Sequence, residues 1–144
     1  MAYKNGFPIS VAGGKKSLKD AFIAFEHGYD NFEWLQGKLD LMQEIFRIRP
    51  NGIRSLGSCA LNLTSIASGC LDAYFDFGIH LWDFAAGLVI LVEAGGVCTT
   101  VAGRDGMTGR VVCAASSPQL LRELKSMAEK YPFPDDLTPD ILHH

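Results

Sequence analysis

The chain has 144 residues, of which 48% are hydrophobic and 20% charged, and its net charge is −3. These values describe a soluble globular protein with a real core, and the acidic balance excludes a basic surface for nucleic acid or anionic membrane. The apolar stretches are too short and interrupted to span a bilayer.

MAYKNGFPIS has no apolar h-region, so no signal peptide is expected and the location implied is cytoplasmic. Cys59, Cys70, Cys98 and Cys113 are widely spaced and make no C-x-x-C pair. They read as reduced core thiols.

Asn5-Gly6 is a hairpin-turn dipeptide. Too few residues precede it for a full strand, so the chain is expected to begin on the second arm of a hairpin, with a strand over 8–12. Gly13-Gly14-Lys15-Lys16-Ser17 ends like a P-loop, but Ile9 stands where its first glycine is required, so that reading is rejected. The AFIAF run predicts a strand over 19–26. Phe32, Leu35, Leu39, Met42 and Phe46 form one stripe at helical spacing over 30–46, with Asp30 or Asn31 as N-cap.

Arg49-Pro50-Asn51-Gly52 breaks that helix, and a short strand follows over 52–56. A helix over 58–68 starts near Ser58 and stops before Gly69. An aromatic-rich strand covers 71–77. The helix over 82–94 ends on Gly95-Gly96. Strands over 97–101 and 110–115 flank a glycine-rich loop, and Ser116-Ser117-Pro118 opens a last helix to about residue 130. The tail over 131–144 is rich in proline and acid and reads as loose. Strands alternating with helices predict an α/β layered fold.

Between Arg54 and Arg104 there is no lysine or arginine, yet Asp72, Asp76, Asp83 and Glu93 lie there. A phosphate site in this stretch needs a metal ion or the backbone N–H groups of a helix start. Two places offer these. Asp83 opens an otherwise apolar helix, where the dipole keeps its carboxylate ionised; it is either a Mg²⁺ ligand or simply a cap. Gly57-Ser58-Cys59 precedes a helix start and exposes backbone N–H groups, or is an ordinary strand-to-helix turn. Asp72, Tyr74 and Asp76 share one face of their strand. His80 reads as structural or as a hydrogen-bonding partner, and Trp82 and Phe84 read as packing residues. Glu93 opposes the dipole at its helix end, so a partner elsewhere is expected.

Trp82-Asp83, Ala85-Ala86-Gly87 and Glu93-Ala94-Gly95-Gly96 together resemble the second signature of the inositol monophosphatase family. The likeness begins at Tyr3-Lys4-Asn5-Gly6, passes through Gly52-Ile53-Arg54-Ser55 and reaches the last helix. It corresponds to the C-terminal half of a typical member, over residues 1–130. The family's Asp-Pro-Ile/Leu-Asp-Gly-Thr motif and its upstream Glu-Glu pair are absent from the sequence.

The resemblance implies the C-terminal part of an αβαβα layered sandwich and Mg²⁺-assisted hydrolysis of inositol monophosphates. It also implies Asp83 as metal ligand, and Gly57, Ser58, Cys59 and Asp76 as substrate-binding residues. Relatives often carry glutamate where Asp76 stands, which leaves another phosphorylated sugar or nucleotide open as substrate. One carboxylate cannot hold the ions such chemistry needs, so the isolated chain is expected to be inactive. The alternative is a non-catalytic partner of full-length relatives. Homodimers are common in the family, and a hairpin cut at its turn would leave an unpaired edge that favours association.

Overall fold

The computed structural model describes residues 1–14, 17–26, 35–100 and 111–131. Asn5 and Gly6 both adopt left-handed backbone angles, φ 53° and 83°. That twist suits a two-residue hairpin turn, and β1 (Ala2–Lys4) pairs antiparallel with β2 (Phe7–Ile9). The residues before the turn therefore suffice for a first arm. Three paired positions are enough because Ala2 is buried among the residues of the neighbouring core. The expected cut hairpin is not found.

A single 3₁₀ turn at Leu18–Asp20 precedes β3 (Phe22–Phe25), which shortens the predicted strand from its start. The chain continues through α1 (Leu35–Ile48), β4 (Gly52–Arg54), α2 (Cys59–Ala67), β5 (Ala73–Phe77) and α3 (Leu81–Glu93). It ends with β6 (Val97–Thr100), β7 (Val111–Ala115) and α4 (Pro118–Ala128). Ser58 and Ser117 cap α2 and α4, each accepting the amide three residues on. The proposed caps Asp30 and Asn31, Phe32 of the predicted stripe, the glycine-rich loop and the tail beyond residue 131 lie outside the described residues.

Five strands form one mixed sheet in the order β4-β3-β5-β7-β6. β3 runs parallel to both β4 and β5, and β7 is antiparallel to β5 and β6. Side chains alternate across the sheet. Phe25, Phe75, Phe77 and Cys113 face a core shared with α1 and α4, whereas Ala24, Tyr74, Val112 and Ala114 face α2 and α3. The Phe25 and Phe75 rings pack at 4.3 Å between centroids. The result is a three-layer α/β/α arrangement, as the alternation of elements predicts.

Of the predicted stripe in α1, Met42 packs against the core but the residues on either side of it do not. Leu39 and Phe46 are 48% and 57% exposed, while Lys38, Leu41 and Ile45 are buried. Leu41, Ile45 and Ile48 form a second stripe at helical spacing, and this one meets the sheet. Lys38 is accommodated because its ammonium lies over the Phe77 ring, 5.8 Å from the centroid.

α2 and α3 pack directly on one another. A Cβ on Gly87 would come within 2.9 Å of Leu63, so this glycine sets how closely the two helices approach. α3 is apolar on nearly every side. It buries Phe84 and Leu91, yet leaves Trp82, Val89 and Val92 exposed. Trp82 is therefore not a core packing residue; it is 68% exposed and stacks on His80 at 4.5 Å. Glu93 receives the amino group of Met1, the partner its unfavourable position required. The four thiols are free, but only Cys59 and Cys113 are buried. Cys70 is exposed because it follows Gly69 in the turn that ends α2. No helix among the described residues is long and apolar enough to cross a membrane.

Candidate functional site

The predicted site residues gather at the carboxyl ends of the parallel strands, where open α/β sheets place their ligands. β4 delivers Gly57, Ser58 and Cys59 into the start of α2. β5 carries Asp76 near its end, and three residues beyond it the chain enters α3 with Asp83 in the first turn. The ends of β4 and β5 and the start of α3 thus bring Cys59, Asp76 and Asp83 to the same end of the sheet, and both carboxylates act electrostatically on the Cys59 thiol.

Gly57 adopts φ +72°, a conformation that favours glycine, and a Cβ there would meet nothing within 4 Å. Among the described residues nothing covers this face of the turn. Ser58 Oγ accepts the Leu61 amide at 3.3 Å, and the Ser58 carbonyl accepts Asn62 N at 3.0 Å. The amides of Cys59 and Ala60 have no partner among the described residues, as expected for a first helical turn. Burial pushes the Cys59 thiol up to about 12, so it stays protonated. What Cys59 can offer a ligand is its backbone N–H.

Asp83 Oδ2 accepts the His80 amide at 2.8 Å, while its own amide donates to the His80 carbonyl at 2.9 Å. The cap reading of Asp83 is thus realised in the geometry. Among the described residues no group of three or more His, Cys, Asp or Glu side chains converges to hold a metal. One carboxylate and waters hold Mg²⁺ weakly, because the ion sheds its hydration reluctantly. The donor set among the described residues fits a share of a divalent-metal site and not a complete one.

Asp76 is 4% exposed. Its Oδ2 accepts the Tyr74 hydroxyl at 2.7 Å and its Oδ1 accepts the Phe77 amide at 2.7 Å. Burial pushes this carboxyl up to about 6, against the opposing pull of those two hydrogen bonds. In this geometry both oxygens are engaged inside the protein.

The sequence reading missed Glu26, which follows β3 directly and is 5% exposed. In register, Phe25 pairs with Phe75, so Glu26 and Asp76 occupy the next positions on neighbouring strands. Glu26 Oε1 accepts Leu56 N at 2.7 Å, Gly57 N at 2.9 Å and Asn62 Nδ2 at 2.8 Å, and Oε2 accepts Ser55 Oγ at 2.7 Å. Burial raises this carboxyl, but the four donors outweigh it and hold Glu26 below the usual glutamate value. Its negative charge is one of the influences that raise Asp76. The signal in the sequence was a lone acid ending an otherwise apolar strand.

The model of the inositol monophosphatase family matches residues 1–131. Inositol monophosphatase 1 of Mus musculus is 34% identical over 137 residues, covering 94% of this chain and 49% of that protein. Inositol monophosphatase 2 of Rattus norvegicus is 42% identical over 118 residues, covering 80% and 40%. The solved structure of extragenic suppressor protein suhB from Bartonella henselae superposes with a TM-score of 0.76 at 25% identity, over 88% of this chain and 48% of that one. The chain thus spans about half the length of the curated relatives it matches.

Proposed function

Because the chain belongs to the inositol monophosphatase family, we propose that it supplies the substrate-holding half of a phosphatase that hydrolyses inositol monophosphates. The observation that carries this reading is the turn Gly57-Ser58-Cys59. It opens α2 at the same end of the sheet as Asp83, and among the described residues its helix-start amides have no partner and nothing lies within 4 Å of a Cβ at Gly57. In this reading the Cys59 and Ala60 N–H groups and the Ser58 hydroxyl bind phosphate or ring hydroxyls. Asp83 gives one carboxylate to Mg²⁺, and the other ligands come from outside the described residues. When bound, the metal would lower the pKa of the attacking water and steady the leaving oxygen. Asp76 lies behind the turn. Tyr74 and Phe77 each take one lone pair of its carboxylate, so a ring hydroxyl would meet it through the lone pairs that remain.

The test is phosphate release from inositol 1-phosphate by the purified chain, with and without Mg²⁺, beside Asp83→Asn. On this reading the 144 residues alone release no phosphate, because one ligand is too few. Metal-dependent release that disappears in Asp83→Asn would show that these residues form a working site by themselves.

A second reading, a non-catalytic partner of full-length relatives, is favoured by one observation. Trp82, Val89 and Val92 leave an apolar face of α3 exposed, and such faces mark contact surfaces. Co-purification of the chain with a full-length relative, lost when Val89 and Val92 are replaced by Ser, would support it. No association at micromolar concentration would count against it.

A further inference from the structure

We propose that Glu26 is a positioning residue for the substrate-binding turn, shaping it from behind so that the Cys59 and Ala60 amides are left for the ligand. The inference rests on the reading of that turn given above. Its basis is the set of groups Glu26 collects. Ser55, Leu56 and Gly57 are consecutive, and all three donate to this one carboxylate. The two backbone amides immediately before the helix cap are thereby turned inward. Those that follow, on Cys59 and Ala60, have no protein partner among the described residues.

The fourth donor ties the turn to α2. Asn62 is fully buried, its Nδ2 donates to Glu26, and its Oδ1 has no partner among the described residues. The carboxylate is therefore the group that orients this amide, one helical turn below the Ser58 cap. Glu26 thus links the end of β3, the turn after β4 and the first turn of α2.

All four donors are neutral, and no ion pair reaches Glu26 among the described residues. A buried carboxylate without a cation is a poor source of stability. It is, however, an effective organiser of several N–H and O–H groups, because bonds to a charged acceptor are shorter and stronger than bonds to a neutral one. A glutamine at this position would keep the shape and replace one acceptor oxygen with a donor. Its oxygen can still accept from Leu56, Gly57 and Asn62 and its amide can donate to the Ser55 oxygen, so what the change removes is the negative charge that makes these bonds strong.

The experiment uses the full chain as wild type, Glu26→Gln and Ser55→Ala. Amide hydrogen exchange reads Leu56 and Gly57, and a titration with inositol 1-phosphate in the presence of Mg²⁺ reads the Ser58, Cys59 and Ala60 amide shifts by NMR. In Glu26→Gln the Leu56 and Gly57 amides are expected to exchange about tenfold faster or more, while β5 and β7 amides keep their protection. Affinity for inositol 1-phosphate should fall about tenfold, and Ser55→Ala should move both readouts in the same direction by a smaller factor. Should Glu26→Gln fail to fold, Ser55→Ala decides alone.

A purely structural role would lower the melting temperature yet leave the affinity of the folded variant unchanged, and that result overturns the proposal. So does unchanged exchange at Leu56 and Gly57. If the wild-type amides of residues 58–60 do not respond to inositol 1-phosphate, the substrate reading itself falls, and the positioning role falls with it. That outcome is recognised from the wild type alone, before any variant is compared.

Discussion

Replacing Asp76 by asparagine should make this protein more stable at neutral pH. The carboxyl is buried, and its value stands at about 6 against 3.8 for an ordinary aspartate, with burial the largest cause. At about 1.4 kcal/mol per pH unit, that gap corresponds to about 3 kcal/mol. The sign follows from linkage. The folded protein holds the proton on Asp76 more tightly than the unfolded chain does. The contribution of Asp76 to stability is therefore highest below the ordinary aspartate value, declines as pH rises from 3.8 to about 6, and is flat above.

An asparagine can still accept the Phe77 amide with its oxygen, and it can donate to the Tyr74 oxygen once that hydroxyl turns away. The Asp76→Asn variant should therefore gain about 1–3 kcal/mol at pH 7.5, the lower value allowing for an imperfect amide geometry. For a chain of this size that is a rise of about 3–9 °C in melting temperature. Urea denaturation of both proteins at a series of pH values from 4.5 to 7.5 measures it. The two curves should converge toward the acid end. A wild-type stability that does not change across this range would refute the reasoning, as would a variant less stable than wild type at pH 7.5.

The opposite sign holds for Glu26, whose carboxyl lies below its ordinary value of 4.5 because its hydrogen bonds outweigh its burial. Its stabilisation is present above that value and lost as pH falls below it, so Glu26→Gln should flatten the acid limb of a urea series extended below pH 4.5. Gly87→Ala should cost about 1–3 kcal/mol in spite of alanine's better helix propensity, because the new Cβ meets Leu63 at 2.9 Å where the helices cross; a denaturant midpoint that rises would contradict this. Ser58→Ala removes the N-cap of α2 and should cost about 1 kcal/mol, read in the same way. A thiol reagent under native conditions should modify Cys70 first, with Cys59 and Cys113 reacting only on unfolding, since both are buried and protonated. Rapid modification of Cys113 in the folded protein would show that the sheet opens more readily than its burial implies.

Much of the fold could be read directly from residue order. Ser58, Ser117-Pro118 and Gly95-Gly96 mark helix ends through capping chemistry that acts within one turn, and each boundary stands within a residue or two of its predicted place. The shared face of Tyr74 and Asp76 on β5 followed from alternation, which is also local. The family was legible because its signature around Asp83 is contiguous in the chain.

Tertiary structure alone decided the features that depend on what lies opposite a residue. Helix α1 carries two apolar stripes, and the sheet selected Leu41 and Ile45 over Leu39 and Phe46. No local rule predicts that choice, because helical spacing describes both stripes equally well. Trp82 likewise reads as a core aromatic by composition, yet it stands in solvent against His80 because α3 turns Phe84 and Leu91 inward instead. Glu26 lies 29 to 36 residues from the groups it binds. Its importance becomes visible only when parallel pairing of β3 with β4 and β5 brings the ends of those strands together. Capping and alternation are set by neighbours in sequence and survive in the bare chain. Which face is buried, and which buried charge organises a turn, are set by neighbours in space.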